Sequence, residues 1–237
     1  MPIDITTFRR VVFFTGAGMS AESGVPTYRG AGGIWKNYNY EEYACQAAFD
    51  EDPAGVWRFH NYRRELVGGC APNQGHRLIA QCEAQLAQVT VITQNIDGLH
   101  QKAGSRAVIE LHGSLWRVRD EISGDVEENF DVPFKGEMAD GRWWRPDITW
   151  FGDSLNEHAI REAVSAIQEC DCFISIGTSA VVYPAARLPY YAVDAGATCM
   201  EINPESTPLS SVYEHRLRSS ATDALGEICH ALDADSV

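Results

Sequence analysis

The sequence predicts an α/β fold organised around a mostly parallel sheet. Two observations support this class: short apolar runs typical of buried strands alternate with segments of helical period, and polar clusters lie just past the predicted strands. Alternating strands and helices favour parallel pairing, and the carboxyl ends of parallel strands share one edge of the sheet. The polar clusters should therefore converge on one crevice, and they lie at residues 15–20, 94–97, 112–114, 177–179 and 203–205.

The first element is the apolar run at residues 11–14, which leads into a glycine-rich stretch. Gly16, Gly18 and Ala21 have the G-x-G-x-x-G/A spacing of a turn that binds phosphate at a helix N-terminus, although a plain tight turn fits this spacing equally well. A dehydrogenase would also carry an acidic residue on a second strand about 20 residues further on. Residues 32–37 offer neither the acid nor a strand, so the turn indicates another kind of site.

The next elements are predicted from the periodic spacing of apolar residues and from helix-capping residues. Residues 25–40 have no clear period and predict a long loop, and two helical segments are expected over about 41–68. Residues 75–87 predict an amphipathic helix that starts near Asn73, because apolar side chains recur on one helical face.

The remaining chain continues the alternation of strands and helices. Residues 120–147 are acidic and irregular. Further strands are predicted at residues 89–93, 108–111, 148–152, 172–176 and 198–203, and further helices at about 156–169, 184–194 and 221–232.

Composition narrows the class of protein. The 237 residues are 45% hydrophobic and 22% charged, which is typical of a globular chain. The net charge of −14 argues against non-specific binding to nucleic acid or to anionic membranes and suits cationic partners. Seven cysteines without a framework spacing predict reduced thiols, and the N-terminus lacks the pattern of a signal peptide. We therefore expect a cytoplasmic protein with no direct role on nucleic acid or membranes.

Several motifs, taken together, resemble the sirtuin family of NAD-dependent protein deacylases in order and spacing. The similarity extends from about residue 10 to 230, with one broken segment. The motifs are the glycine-rich stretch at residues 16–29, residues 93–100, residues 111–114, Phe151-Gly152, residues 177–179 and Ile202-Asn203.

The resemblance implies a fold and a reaction. It implies a Rossmann-like parallel sheet with helices on both faces in a large NAD-binding domain (residues 1–30, 76–112 and 149–237), and a smaller inserted lobe (residues 31–75 and 113–148). In the family NAD is a co-substrate. The acyl-lysine carbonyl oxygen attacks the nicotinamide ribose, and the products are nicotinamide, free lysine and O-acyl-ADP-ribose.

The resemblance also assigns roles to residues. His112 matches the general base that takes a proton from the ribose hydroxyl, a task suited to an imidazole that titrates near neutrality. A lone histidine is more often a core or capping residue, but a strand end inside the family motif favours the catalytic role. Asn95 and Asp97 match the residues that hold the nicotinamide carboxamide, and Gln94 matches a ribose contact. The other NAD contacts implied are Gly16, Ala17, Gly18, Ser20, Tyr28, Arg29, Trp35, Ile96, Gly177, Thr178, Ser179, Asn203, Pro204, Glu205 and Ala221.

The acyl-lysine peptide of the family lies as a strand against the segment that here reads Trp150, Phe151 and Gly152. The sequence looks most like the branch that removes succinyl and malonyl groups, in which a Tyr-x-x-Arg pair on one helix face holds the acyl carboxylate. Arg63 keeps the arginine, whereas His60 replaces the tyrosine. His60 could donate a hydrogen bond in its place, or Tyr62 could substitute. Arg63 could instead be a solvated arginine on the helix surface.

The chain departs from the family at its metal site. Most sirtuins carry a structural zinc bound by two C-x-x-C pairs, and residues 113–152 contain neither cysteine nor histidine. We therefore expect a protein without zinc. An apolar cluster is expected to replace the metal, formed by Trp116, Phe130, Phe134, Trp143 and Trp144.

Three alternatives remain open at this point. The same ribosyl chemistry could serve ADP-ribosyl transfer or NAD hydrolysis if no acyl-lysine is bound. A non-catalytic protein that binds NAD or acyl-lysine is a second class. A hydride-transfer dehydrogenase is a poor third, because its ribose-binding acid is missing.

Overall fold

The computed structural model describes residues 3–27 and 39–233. Its strands are β1 Arg10–Thr15, β2 Gln88–Thr93, β3 Val108–Glu110, β4 Gly113–Arg119, β5 Val126–Glu128, β6 Arg145–Ile148, β7 Cys172–Ile176, β8 Thr198–Ile202 and β9 His215–Leu217. Its α-helices are α1 Gly18–Ala21, α2 Tyr40–Tyr43, α3 Gln46–Glu51, α4 Pro53–Gly68, α5 Gln74–Gln85, α6 Leu99–Ala103, α7 Glu157–Glu169, α8 Leu188–Asp194 and α9 Ala221–Ile228.

The main sheet has six parallel strands in the order β3-β2-β1-β7-β8-β9, which confirms the predicted fold class. Side chains of β1 alternate between its two faces. Val11 and Phe13 join a core with α5 and α9, while Val12 and Phe14 join a second core with α7 and α8. The central strands are therefore buried on both faces, and their polar ends are the part of the sheet left to form a site.

A smaller antiparallel sheet, in the order β5-β4-β6, packs with α4 around a third apolar core. Trp57 of α4 is 2% exposed in this core, and its indole Nε1 donates to the carbonyl oxygen of Trp144 at 2.7 Å. Helix α4 begins sharply because the Asp52 side chain accepts from the Gly55 N–H and Pro53 occupies the first turn.

Several predicted elements need correction. The region 41–68 forms three helices rather than two, because the Asp52 cap separates α3 from α4. The strand expected at 148–152 is wrong: β6 ends at Ile148, and the following residues form a turn. Strands β4, β5 and β9 and helix α6 were not predicted. β5, β9 and α6 are only three to five residues long, and β4, which has seven residues and a register shift, lacks a regular alternation of apolar residues.

Other predicted elements are confirmed within a few residues. Helix α5 starts after Asn73, whose side chain caps it, and α7 starts after Asn156. The loop predicted at 25–40 falls largely on residues 28–38, which lie outside the described residues. No helix in the described ranges is long and apolar enough to cross a membrane.

Candidate active site

A cavity of about 730 Å³ lies at the carboxyl edge of the main sheet. Its floor is formed by the segments that follow β1, β2, β3, β7 and β8, so the predicted convergence of the strand ends is confirmed. Helix α4 and the segment after β6 complete the wall. The volume suits a ligand the size of a dinucleotide fragment together with a side chain.

Most of the predicted site residues line this cavity. Ser20 and Asp97 are absent from its lining and lie behind it, and Tyr28, Arg29 and Trp35 lie outside the described residues. The predicted residues that line the cavity are Gly16, Ala17, Gly18, His60, Arg63, Gln94, Asn95, Ile96, His112, Trp150, Phe151, Gly152, Gly177, Thr178, Ser179, Asn203, Pro204, Glu205 and Ala221.

The glycine turn after β1 packs backbone to backbone against the turn after β7. The Gly18 N–H donates to the Gly177 carbonyl oxygen at 2.8 Å. A Cβ on Gly18 would lie 2.7 Å from the Gly177 Cα, and a Cβ on Gly177, whose φ is +60°, would lie 2.6 Å from Gly18. Because neither position has room for a side chain, the two turns form a close backbone platform at the cavity floor.

His112 is half-buried, and a hydrogen bond to the backbone after β2 orients its ring. Its Nδ1 lies 2.9 Å from the Gln94 carbonyl oxygen. A carbonyl can only accept, so Nδ1 carries the proton and Nε2 keeps its electron pair. Burial lowers the pKa of His112 from its ordinary 6.5, while the bond to Gln94 opposes that shift. The imidazole is therefore neutral at physiological pH and able to act as a base.

Asn95 is held by the turn beside it. Its side-chain Nδ2 donates to the Gly16 carbonyl oxygen at 3.0 Å and to Ser20 Oγ at 3.2 Å. Ser20 Oγ in turn donates to Asp97 Oδ2 at 2.7 Å, and Asp97 Oδ1 accepts from the Leu99 N–H at 2.9 Å. Burial raises the pKa of Asp97, and these hydrogen bonds oppose the shift. Ser20 and Asp97 thus fix Asn95 from behind the cavity wall.

Two buried histidines lie next to this network and were not predicted. The rings of His76 and His100 meet edge to face with centroids 4.8 Å apart. His76 Nε2 lies 3.4 Å from Ser20 Oγ, and His100 Nε2 lies 3.0 Å from Thr15 Oγ1. Burial lowers the pKa to about 4 for His76 and to about 3 for His100, so both are neutral. No sequence spacing indicates this pair, because the helices that carry it meet only in the folded chain.

His60 and Arg63 lie on the buried face of α4, at 2% and 6% exposure. The alternative of a solvated surface arginine is therefore wrong for Arg63. Burial, with the charges of Arg63 and Arg64, lowers the pKa of His60 to about 3. Neither ring nitrogen of His60 has a well-formed hydrogen bond to a described residue, although the Tyr43 backbone is near enough to oppose the lowering of its pKa. A buried polar group without a partner is costly, and its place in a cavity wall fits contact with a polar ligand.

The segment after β6 forms the wall next to α4 as a tight turn. The Asp153 N–H donates to the Trp150 carbonyl oxygen at 3.1 Å, and the Trp150 N–H donates to Asp153 Oδ2 at 3.0 Å. The Phe151 N–H donates to the Ala44 carbonyl oxygen at 3.1 Å, which joins the turn to the start of α3. Gly152 has a φ of +93°, which its lack of a side chain permits.

Further lining residues were missed by the sequence analysis. Phe59 belongs to the apolar face of α4 and could have been found from its neighbour His60. The remaining ones sit in turns without a period, so only the fold places them in the cavity; examples are Thr27, Ala44, Asp153, Leu155, Val182, Tyr183 and Thr207.

The predicted aromatic cluster is present, with one correction. Trp116, Phe134, Trp143 and Trp144 pack against the core around Trp57. Phe130 is 66% exposed and only stacks on Trp116, with ring centroids 6.0 Å apart, so it lies at the edge of the cluster. Within residues 3–27 and 39–233, no group of three or more His, Cys, Asp and Glu side chains is arranged to hold a metal ion.

Comparison with known proteins identifies related sequences. The sequence model of the Sir2 family matches residues 16–184. A protein of Aquifex aeolicus named NAD-dependent protein deacylase is 41% identical over 223 residues, covering 92% of this chain and 93% of the relative. The NAD-dependent protein deacylase 1 of Pseudomonas aeruginosa is 44% identical over 232 residues, covering 93% of each chain.

Solved structures of similar chains have the same fold. The crystal structure of a Sir2 homolog–NAD complex matches with a TM-score of 0.90 at 38% identity, covering 98% of this chain and 92% of that chain. A mutant Sir2 homologue in complex with ADP-ribose matches with a TM-score of 0.92 at 38% identity, covering 98% and 94%. A Sir2 protein with a deacetylated p53 peptide and 3′-O-acetyl ADP-ribose matches with a TM-score of 0.85 at 31% identity, covering 94% of each chain.

Proposed function

The chain belongs to the Sir2 family, and from this membership we infer that it is an NAD-dependent protein lysine deacylase. The observation that carries the proposal is the position of His112. Its neutral imidazole lines a cavity whose other walls are the segments matched to NAD and acyl-lysine contacts. The residues proposed as the base, as the nucleotide platform and as the peptide-binding edge therefore line one cavity.

The protein supplies orientation and a proton acceptor. NAD, as co-substrate, supplies the ribosyl carbon that accepts the acyl oxygen and the nicotinamide that leaves. The close backbone turns at Gly18 and Gly177 would bear the phosphates, and Asn95 would bind the carboxamide through its amide group. His112 Nε2 would take the proton of the ribose hydroxyl, because Nδ1 is committed to Gln94.

We further propose that the acyl pocket accepts acidic acyl groups such as succinyl and malonyl as well as acetyl. Arg63 lines the cavity at 6% exposure, and its guanidinium would form a charge-assisted pair with an acyl carboxylate bound there. The neutral His60 one turn earlier can donate one ring N–H to the same carboxylate. Aromatic walls at Phe59 and Trp150 also suit the short chain of an acetyl group.

The test of the reaction is nicotinamide release from NAD by the purified protein. Acetyl-lysine and succinyl-lysine versions of one peptide are compared with the unmodified peptide, for the wild type and for His112→Ala. We expect release to need an acylated peptide and to fall by about a hundredfold or more in His112→Ala. Release without peptide would favour NAD hydrolysis or ADP-ribosyl transfer, and binding without release would favour a non-catalytic protein.

The test of acyl preference uses Arg63→Met and His60→Tyr. Arg63→Met should reduce kcat/KM for the succinyl peptide by about tenfold or more while changing the acetyl peptide less, because it removes one charge-assisted bond. His60→Tyr restores the tyrosine of the acidic-acyl branch and should favour succinyl. Equal losses for both peptides would reject the carboxylate role.

A further inference from the structure

An ion pair between a buried arginine and a half-buried aspartate lies beneath the wall proposed to bind acyl-lysine. Arg145, on β6, is 3% exposed, and its Nη2 donates to Asp153 Oδ2. Its guanidinium carbon lies 4.0 Å from the centroid of the Trp150 ring. Its Nε has no hydrogen-bond partner among the described residues and lies 3.9 Å from Glu121 Oε1. The Arg145 guanidinium is therefore stabilised chiefly by Asp153 and Trp150 of the turn after β6.

Arg145 does not reach the main cavity. Its side chain lines a second cavity of about 620 Å³ on the other side of the segment after β6. Ile148, Thr149 and Asp153 line both cavities, so this segment is the partition between them. Any effect of Arg145 on a ligand in the main cavity must pass through this partition.

The Arg145 contacts fix both the backbone and the side chain of the partition. Asp153 Oδ2 accepts from the Arg145 guanidinium and from the Trp150 N–H, so one carboxylate oxygen joins the arginine to the turn. The Trp150 ring, 3% exposed, stacks with the His60 imidazole at 6.0 Å and an angle of 25°. The contacts thus extend from Arg145 through Trp150 to His60 in the acyl pocket.

Stability alone does not explain a guanidinium at this position. Removing a charge from water is expensive, and buried ion pairs can often be replaced by apolar side chains of similar size at little cost. A methionine would still cover the Trp150 ring, but it would leave Asp153 without its cation and the turn without its fixed geometry. The arrangement points to accuracy of position as the role of this pair.

We propose that Arg145 is a positioning residue for the acyl-lysine substrate, which sets the geometry of the turn at residues 150–153 from behind the cavity wall. The inference rests on the proposed function, since it takes this turn as the peptide-binding edge. The nucleotide platform is carried by the turns after β1 and β7 of the main sheet, whereas Arg145 contacts the segment after β6 of the smaller sheet. Loss of Arg145 should therefore weaken binding of the acylated peptide and leave the affinity for the nucleotide unchanged.

The experiment compares Arg145→Met, Arg145→Lys and Asp153→Asn with the wild type. An acetyl-lysine peptide and ADP-ribose are titrated separately by calorimetry, and KM and kcat are measured from nicotinamide release. We expect Arg145→Met to raise the peptide KM and Kd by about tenfold, with ADP-ribose affinity within about twofold of wild type. Arg145→Lys keeps the charge and should recover part of the loss, and Asp153→Asn should change the peptide constants in the same direction.

Arg117→Met is the matched control. It removes a guanidinium from the same second cavity, but its ion pairs are with Glu110 and Asp147 and not with the turn. The control should leave both affinities unchanged. Thermal unfolding of each variant checks that it is folded.

Each outcome decides the inference. Unchanged peptide constants in Arg145→Met, an equal loss of peptide and ADP-ribose affinity, or the same loss in Arg117→Met would overturn it. If the wild type releases no nicotinamide with acylated peptide, the proposed function is wrong. The calorimetric titration of the peptide then tests the role of Arg145 independently of turnover. A wild type that binds no acetyl-lysine peptide overturns it, whereas weaker binding by Arg145→Met supports it.

Discussion

Burial keeps the histidines around the cavity neutral, and this decides what each can do. His112 becomes a base with a defined tautomer because its Nδ1 is committed to a backbone carbonyl. His60 becomes a neutral hydrogen-bond donor beside Arg63, since a second cation there would be both desolvated and repelled. At the scale of single residues, the described part of the site therefore combines the Arg63 cation with histidines that are neutral.

As the pH is lowered, kcat/KM should begin to fall only below pH 6.5. The active form of His112 is neutral, and burial lowers its pKa from 6.5, so protonation and loss of activity occur only at lower pH. A profile of kcat/KM against pH with saturating NAD measures this fall. A fall that begins at or above pH 6.5 would contradict the assignment of His112 as the base.

Folding stability should fall as the pH drops from about 6.5. The pKa values of His60, His76 and His100 are lowered to between about 3 and about 4 by burial, whereas their ordinary value is 6.5. The unfolded chain therefore binds more protons in this window, and each of the three histidines lowers the free energy of unfolding as the pH falls through it. Urea unfolding between pH 7.5 and 5 tests this.

A matched pair of variants sharpens this test. His100→Gln should reduce the slope of stability against pH, while His158→Gln, whose side chain is 73% exposed, should leave it unchanged. An unfolding free energy that is constant from pH 7 to pH 5 would show that the three buried histidines are not held neutral.

Helix α4 serves the cavity and the smaller sheet with adjacent residues. His60 and Arg63 face the cavity, while Arg64 enters the aromatic core. The Arg64 guanidinium carbon lies 5.2 Å from the Trp57 ring centroid and 5.4 Å from that of Phe134, and its Nε donates to the Leu115 carbonyl oxygen at 2.7 Å. At the scale of elements, this arginine joins α4 to β4.

Arg64→Ala should destabilise the protein by about 2–4 kcal/mol, because it leaves a void among aromatic rings and removes hydrogen bonds to Leu115 and Asn129. The urea midpoint measures the change. Arg161→Ala, which removes an arginine with a 68% exposed side chain, is the control and should leave the midpoint unchanged. Equal midpoints for the two variants would reject Arg64 as the link between α4 and β4.

The close packing of the turns at Gly18 and Gly177 should be needed for nucleotide binding. Gly177→Ala places a Cβ 2.6 Å from Gly18 and forces a φ of +60° on a residue with a side chain, so the turns must separate. We expect ADP-ribose affinity to fall by about tenfold or more in a calorimetric titration.

Gly226→Ala is the control for this prediction. Its added Cβ has no atom within 4 Å, in the middle of α9, so it should bind ADP-ribose like the wild type. Wild-type affinity in Gly177→Ala would show that the close approach of the turns does not serve the nucleotide.

The molecule as a whole combines a double-sided parallel sheet with a smaller sheet whose core is aromatic. Its net charge of −14 suits a cationic protein partner. Arg117 of the small sheet forms ion pairs with Glu110 on β3 of the main sheet and with Asp147 on β6. The small sheet also packs on the apolar core around Trp57. None of these interactions needs a metal.

We predict that the protein folds and works without zinc. Metal analysis of the purified chain should find zinc far below one equivalent, and incubation with EDTA should leave the thermal midpoint and nicotinamide release unchanged. Stoichiometric zinc in the purified protein, or unfolding when EDTA is added, would contradict this prediction.

The sequence by itself determined the α/β class, most strands and helices of the large sheet along the chain, and the convergence of Gly16, Asn95, His112, Gly177 and Asn203 on one cavity. It could do so because apolar runs, glycine turns and strand-end polar groups are local signals, and parallel pairing brings those ends together. It failed for β4, β9 and the segment at 149–152, where short, charged or turn-forming sequences carry no period.

Only the tertiary structure decided which side chains work together. Ser20 and Asp97 lie behind the wall rather than in it, and Arg145 meets Trp150 from the second cavity. His76 and His100 pair across two helices. These contacts join residues from separate elements, and their geometry depends on how those elements pack, which no local pattern in the chain encodes.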